Sequence, residues 1–179
     1  YEMYDQNDIR RDGGILNFSK HATETGASYT ARWQDTGYFL LKYIGRKGGN
    51  HGYTADPNMN YGNNQRVYRY AETLLNAAEL IVRGAGSGSA EAYLNAIRTR
   101  AQVPSVAATL DNIIDERHLE FVGEGKRYWD LVRTGKAASV LTGANHLYRT
   151  TDWSANKKYW PIPQSEIDRS AGTLTQNPY

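Results

Sequence analysis

The stretch Glu116-Arg117-His118-Leu119-Glu120-Phe121-Val122-Gly123-Glu124-Gly125-Lys126-Arg127-Tyr128-Trp129-Asp130-Leu131-Val132-Arg133 decides how this chain is read. Glu116, Glu120 and Glu124 follow at i, i+4 and i+8, so one helix face can present all three. Two chemistries compete for them. A glycosidase needs one carboxyl as acid and another as nucleophile or base, on opposite sides of a scissile bond. Neighbours on one helix seldom meet that geometry. An internal ion-pair network of Glu116, Glu120 and Glu124 with Arg117, Arg127, Asp130 and Arg133 ranks above it. Phe121, Trp129 and Leu131 beside these charges place the network partly inside the protein, where it would serve specificity more surely than stability.

Helical periodicity extends upstream of the run. Val67, Tyr70, Ala71, Leu74, Leu75, Ala78, Ile81 and Val82 fall at helical spacing and predict a helix over 67–83, ended by Gly84. The Gly84–Ser89 connector is flexible, and Ser89 is placed to cap a second helix over about 90–101. Tyr93, Leu94, Ile97 and Ala101 share its inner face. The two make a helical hairpin, the unit of tetratricopeptide-like arrays, although no second copy recurs at a fixed period. Pro104 breaks the chain. Thr109 caps a third helix with Asp111 in its first turn, and Leu110, Ile113, Ile114, Arg117 and Phe121 face inward. Gly123 and Gly125 weaken it near its end. A shorter helix follows over about 126–134, ending near Gly135. The fold class is therefore mainly α: helical hairpins of tetratricopeptide-like type with long irregular loops. Three segments make up the one domain: loop-rich 1–66, in which 38–44 could be strand or helical turn, a helical core 67–134, and an irregular tail 135–179 with a turn near 164–168.

Bulk properties bound the function. At 179 residues, 40% hydrophobic and 22% charged, the chain can bury a real core. A net charge of +2 without a basic stripe argues against nucleic acid. No Cys is present, which removes disulfides and thiolate metal sites. No apolar run approaches the ~20 residues of a membrane span. Without a start methionine, signal peptide or lipidation cysteine, the chain is expected to be a processed form or a fragment.

The tail carries Tyr159-Trp160-Pro161-Ile162-Pro163 and Glu166-Ile167, closed by Gln176-Asn177-Pro178-Tyr179. Four elements now stand in order. They are Arg69-Tyr70-Ala71-Glu72-Thr73-Leu74-Leu75, Asn95-Ala96-Ile97-Arg98-Thr99-Arg100-Ala101, the run from Glu116 to Arg133, and the proline-marked tail. Together they resemble the C-terminal region of the SusD/RagB family over roughly 67–179. Asp8-x-Arg10 and Thr36-Gly37-Tyr38 match the preceding segment more weakly. The family's closing Asn-Pro-Gly-Tyr lacks its Gly here.

The resemblance implies a non-catalytic nutrient-binding lipoprotein on the bacterial outer surface, active in starch or polysaccharide utilisation. It implies an oligosaccharide ligand, handed to a TonB-dependent outer-membrane transporter, and membrane attachment only through a lipid anchor absent from this chain. Whole members are two to three times as long, and much of their helical repeat and ligand surface lies upstream. A peptide- or protein-interaction helical module is the alternative, and a glycoside hydrolase ranks below both. No cofactor is implied.

Aromatics are abundant, with 14 Tyr and 4 Trp against 3 Phe. Trp33, Tyr38, Tyr53, Tyr61 and Trp153 lie in loop-like segments, with Asn58 and Asn60 near several of them. Rings stack on the C–H faces of sugars while amides take the hydroxyls, so these seven are the ligand-binding candidates. Trp160 is expected to anchor the tail. Asp56-Pro57-Asn58-Met59-Asn60-Tyr61 spaces its oxygens like a calcium loop, but lacks the Gly at its sixth place and the closing Glu, so it reads as a solvated turn. His21, His51, His118 and His146 have no zinc-ligand spacing. No metal site is predicted.

Overall fold

The computed structural model describes residues 1–45, 64–145, 148 and 150–178. It divides into two compact units, 1–127 and 128–179. The protein is mainly helical, and its centre is the predicted helical hairpin: α3 (Tyr70–Val82) and α4 (Ala90–Arg100), joined by α5 (Leu110–Glu120).

Upstream lie α1 (Ile9–Gly14), β1 (Ile15–Asn17), α2 (Phe18–Thr25) and β2 (Tyr38–Leu40). The strands pair antiparallel in the register Ile15↔Leu40, Leu16↔Phe39, Asn17↔Tyr38. Strand thus resolves the ambiguity over 38–40, and the chain turns at 42–43. The two short helices went unread because Gly13 and Gly14 depress helix propensity, and both depend on caps. The Asp8 carboxylate accepts from the Arg10 N–H, and the Asn17 amide oxygen from the Lys20 N–H.

Caps and terminators explain the hairpin's boundaries. The Ser89 hydroxyl accepts from the Ala92 N–H at 3.1 Å, and Thr109 from Asn112 at 3.1 Å. After α3, Gly84 turns left-handed (φ 82°). Ala85 N–H then reaches Leu80 C=O at 2.8 Å, and Gly84 N–H reaches Ile81 C=O at 2.9 Å, the two bonds of a Schellman motif. Asn95 fastens the next loop by exchanging two hydrogen bonds with the Val106 backbone, at 2.9 and 3.0 Å.

Leu75, Leu94 and Ile113 are fully buried in the core of this unit, with Ala71, Ala78, Ile97 and Phe121 around them. Each such large side chain contributes about 1.5–3 kcal/mol. Two expectations fail at the start of α3. Val67 and Tyr70 are 76% and 75% exposed, and Val82 is exposed as well. The helix begins at Tyr70 because Arg69 is extended (φ −136°, ψ 156°), which turns its side chain toward α5. Glu72 and Glu79 take places on the inner stripe instead.

The unit 128–179 has its own small core of Leu131, Ala137 and Leu141, packed with Tyr128, Val132, Val140 and Trp153. Its helices are most of α6 (Arg127–Arg133), α7 (Ala137–Val140) and α8 (Gln164–Arg169), the last at the predicted turn. Gly135 ends α6 with φ 74°. Trp160 does not anchor the tail, being 74% exposed. Gln176 does: its amide accepts from Ile162 N–H at 2.8 Å and donates to Ile162 C=O at 2.9 Å. Asn177 adds a bond to the Trp160 carbonyl at 2.7 Å. A planar amide satisfies both backbone groups of one residue, which an indole cannot do.

Candidate functional site

The glutamate run forms the most highly charged part of the interior. Glu116 and Glu120 are 1% and 2% exposed. Glu116 accepts from Arg10 at 2.6 Å and Arg98 at 2.7 Å. Glu120 accepts from Arg69 at 2.8 Å, Arg10 at 3.0 Å and Arg100. Glu124 accepts from Lys42 and Arg69, each at 2.8 Å. Lys42 and Arg69 also donate to the Glu120 carbonyl, where cations suit the negative end of a helix. The Arg69 and Arg117 guanidinium groups lie 5.0 and 5.1 Å from the Phe121 ring.

This corrects the sequence expectation in two respects. The three glutamates do not share a helix face, because α5 stops at Glu120 and Glu124 sits in the turn after it. Gly123 makes that turn with φ 75° and lies so close to Leu40 of β2 that a Cβ would stand 2.4 Å from its side chain. The cations that ring the glutamates are Arg10, Lys42, Arg69, Arg98 and Arg100, all outside the run. Arg117 instead meets Asn76 at 2.7 Å and Glu72 at 3.6 Å. Arg127 donates to the Ile114 carbonyl, and Arg133 pairs with Asp130 at 2.7 Å. Sequence spacing exposes only partners three or four residues apart, whereas these pairs span 18 to 110 residues. A signal was available: each of the upstream motifs carries an arginine, and these are the arginines that converge.

The electrostatics suit structure. Burial pushes the Glu124 carboxyl up, but the hydrogen bonds from Arg69 and Lys42 outweigh it and hold the group below its ordinary value. Burial likewise works against the Arg10 charge, yet its bonds to Asp8 and Glu116 raise its pKa overall. A general acid must keep a proton beside a reacting bond. The lowered Glu124 carboxyl favours the opposite state. His118 stands apart: burial, then the charge of Arg127, push its imidazole down to about 4, and its Nδ1 is buried without a hydrogen-bond partner.

Among the ligand candidates, Trp33 is 86% exposed, at the tip of the loop between α2 and β2. Tyr38, in β2, stacks on Tyr1 at 4.7 Å and donates to Glu2 at 3.1 Å. Trp153 belongs to the other unit. It is half-buried in that unit's core, and its Nε1–H donates to the Tyr128 hydroxyl at 3.2 Å. Tyr53, Asn58, Asn60 and Tyr61, with the calcium-like loop, His51 and His146, lie outside the described residues. The structure thus places Trp33 in the loop that leads into the strand of Tyr38 and commits the Trp153 ring to packing.

Two clefts lie among the described residues of the unit 1–127. One, of about 360 Å³, lies between Met3, Tyr4 and Asp8 and the side chains of Arg98, Val103 and Leu119. The other, of about 150 Å³, is lined by Asp12, Ile15, Asn17, Lys20, His21 and Glu24. Among the described residues no group of three or more His, Cys, Asp or Glu is placed to hold a metal ion. Nor, among them, is any helix long and apolar enough to cross a membrane.

The sequence model of the SusD family matches residues 3–179. The chain belongs to the SusD family. Its structure is similar to surface glycan-binding protein A from Bacteroides thetaiotaomicron, with a TM-score of 0.90 and 56% identity over 100% of this chain and 40% of that one. The same protein in complex with laminarihexaose gives a TM-score of 0.87 and 55% identity, again over 100% of this chain and 40% of that one. A curated relative, SusD-like protein P2 from Formosa agariphila, is 35% identical over 62% of this chain and 25% of its own length. The chain therefore spans two fifths or less of the proteins it resembles. The family's tetratricopeptide-like helical fold accounts for the α3–α4 hairpin and its packing on α5.

Proposed function

We propose that this chain is the C-terminal part of a surface glycan-binding protein whose ligand is a β-1,3-linked glucan of the laminarin type. The observation that carries the reading is the 55% identity, over the whole chain, to a protein solved with laminarihexaose. The action is capture without catalysis. Rings and amides hold the sugar, from the set Trp33, Tyr38, Tyr53, Tyr61, Asn58 and Asn60, while the buried glutamates hold the scaffold. Trp153 drops to a packing role in this reading. A lipid anchor outside the chain holds the protein on the outer surface of the bacterial outer membrane. The captured oligosaccharide then passes to a TonB-dependent transporter, as the family resemblance implies.

Isothermal calorimetry of the full-length protein against laminarihexaose, cellohexaose and maltohexaose tests the ligand. Binding to laminarihexaose in preference to the other two is expected, and equal or absent binding would sink the assignment. Co-purification with the transporter in detergent tests the handover.

A further inference from the structure

The loop between α2 and β2 is built to hold one side chain in solvent. Its base is closed by the strand pair and by Phe18 N–H donating to Gly37 C=O at 2.9 Å. Tyr29 pins its middle, packing edge-on against Phe18 at 4.3 Å and Phe39 at 5.3 Å. The Asp35 carboxylate accepts from the Tyr29 hydroxyl at 3.2 Å and the Gly37 N–H at 2.9 Å. Above these braces Arg32-Trp33-Gln34-Asp35 makes a tight turn, with Asp35 N–H on Arg32 C=O at 3.0 Å. Gln34 takes φ 65°, as the third position of a type II turn requires, although glycine or asparagine is the usual occupant there. Trp33 occupies the second position and is 86% exposed.

A single exposed apolar residue needs no explanation. An exposed indole on a braced turn with a non-glycine residue in the left-handed region is different, because strain of this kind concentrates at binding elements. The braced backbone has little freedom left to lose, which is the advantage of a preorganised contact. Arg32 and Gln34 are exposed on either side of it and supply hydrogen-bonding groups. Asp35 Oδ1 is committed to the Tyr29 hydroxyl and the Gly37 N–H at the base of the turn.

We propose that the Trp33 turn is a preformed stacking platform for one pyranose ring of a neutral glucan, with Arg32 and Gln34 as hydroxyl partners. It is the principal contact that this chain contributes to the ligand. The proposal rests on the glycan-binding reading above. It makes Trp33 a determinant of affinity rather than of folding.

The test uses the full-length protein with Trp33→Ala and Trp33→Phe, calorimetry with laminarihexaose, and thermal unfolding. Trp33→Ala is expected to weaken binding about tenfold or more with an unchanged Tm, while Trp33→Phe retains most of the affinity. A wild-type protein that binds laminarihexaose while Trp33→Ala binds it equally well overturns this inference alone. So does a Tm lowered by several degrees, which would mean that the ring packs against the rest of the protein. A wild type that binds no glucan overturns the glycan-binding reading, and this proposal with it.

Discussion

Residues 1–127 and 128–179 solve the same problem with different bonds. In the first unit, buried guanidinium groups converge on buried carboxylates from sequence positions as distant as 110 residues. In the second, side chains close short loops by bonding to backbone: Gln176 on Ile162, Asn177 on Trp160, Asp152 on the Gly143 N–H. A buried charge must be saturated completely or it costs several kcal/mol, so the first arrangement is close to all-or-none. Amide-to-backbone closures are each worth about 1 kcal/mol and fail one at a time. Damage to the first unit should be global, and damage to the second local.

Glu120→Ala should break the comparison most severely. It leaves Arg10, Arg69 and Arg100 without a shared acceptor, and removing one partner of a buried pair costs about 3–5 kcal/mol. Urea unfolding followed by circular dichroism reads this loss, and a cost below ~1 kcal/mol would show that the network is incidental. Acid titration sharpens the same point. His118 has a folded-state pKa of about 4 against an ordinary 6.5, so the unfolded chain binds more protons between those values. Stability should be full above pH 6.5 and fall as pH drops towards 4. His118→Gln should flatten that leg of the profile. Glu124, whose pKa is also lowered, adds a loss of the same sign below its ordinary value of 4.5.

Gln176→Ala removes two bonds to Ile162 and should cost about 1–2 kcal/mol. Hydrogen exchange should accelerate at Ile162 while the amides of α3–α5 keep their protection. Ser89→Ala should cost about 1 kcal/mol through its lost helix cap. Least of all, Arg169→Ala breaks an ion pair whose side chains are 78% and 54% exposed, and should change stability by about 0.5 kcal/mol or less. The ratio between Glu120→Ala and Arg169→Ala is the quantity to measure, because it sets three ion pairs on a buried carboxylate against one exposed pair.

These effects also mark where sequence reading worked. The inner faces of α4 and α5, with their caps at Ser89 and Thr109, follow from spacing and cap chemistry, both local rules. The start of α3 does not, because Arg69 leaves the helical path to reach glutamates 51 and 55 residues away. The pairing of the glutamate run failed for the same reason. Trp33 was visible as a loop aromatic, but the turn beneath it depends on Gln34 taking a conformation that its residue type does not advertise. Trp153 looked equivalent in sequence and is packed, since only the fold tells a ring with neighbours from a ring without them.

The reach of Arg10 has a consequence for synthesis. A ribosome adding about 5–20 residues per second takes roughly 5–20 s to travel from Arg10 to Glu120. Through that interval the emerging chain carries Arg10, Lys42, Arg69, Arg98 and Arg100 with none of the three glutamates that will hold them. A chain that stops short of Glu116 lacks the carboxylates that tie Arg10 and Lys42 to the same acceptors as Arg69, Arg98 and Arg100. The glutamate run therefore closes the unit last: each of its carboxylates is made after every cation it neutralises.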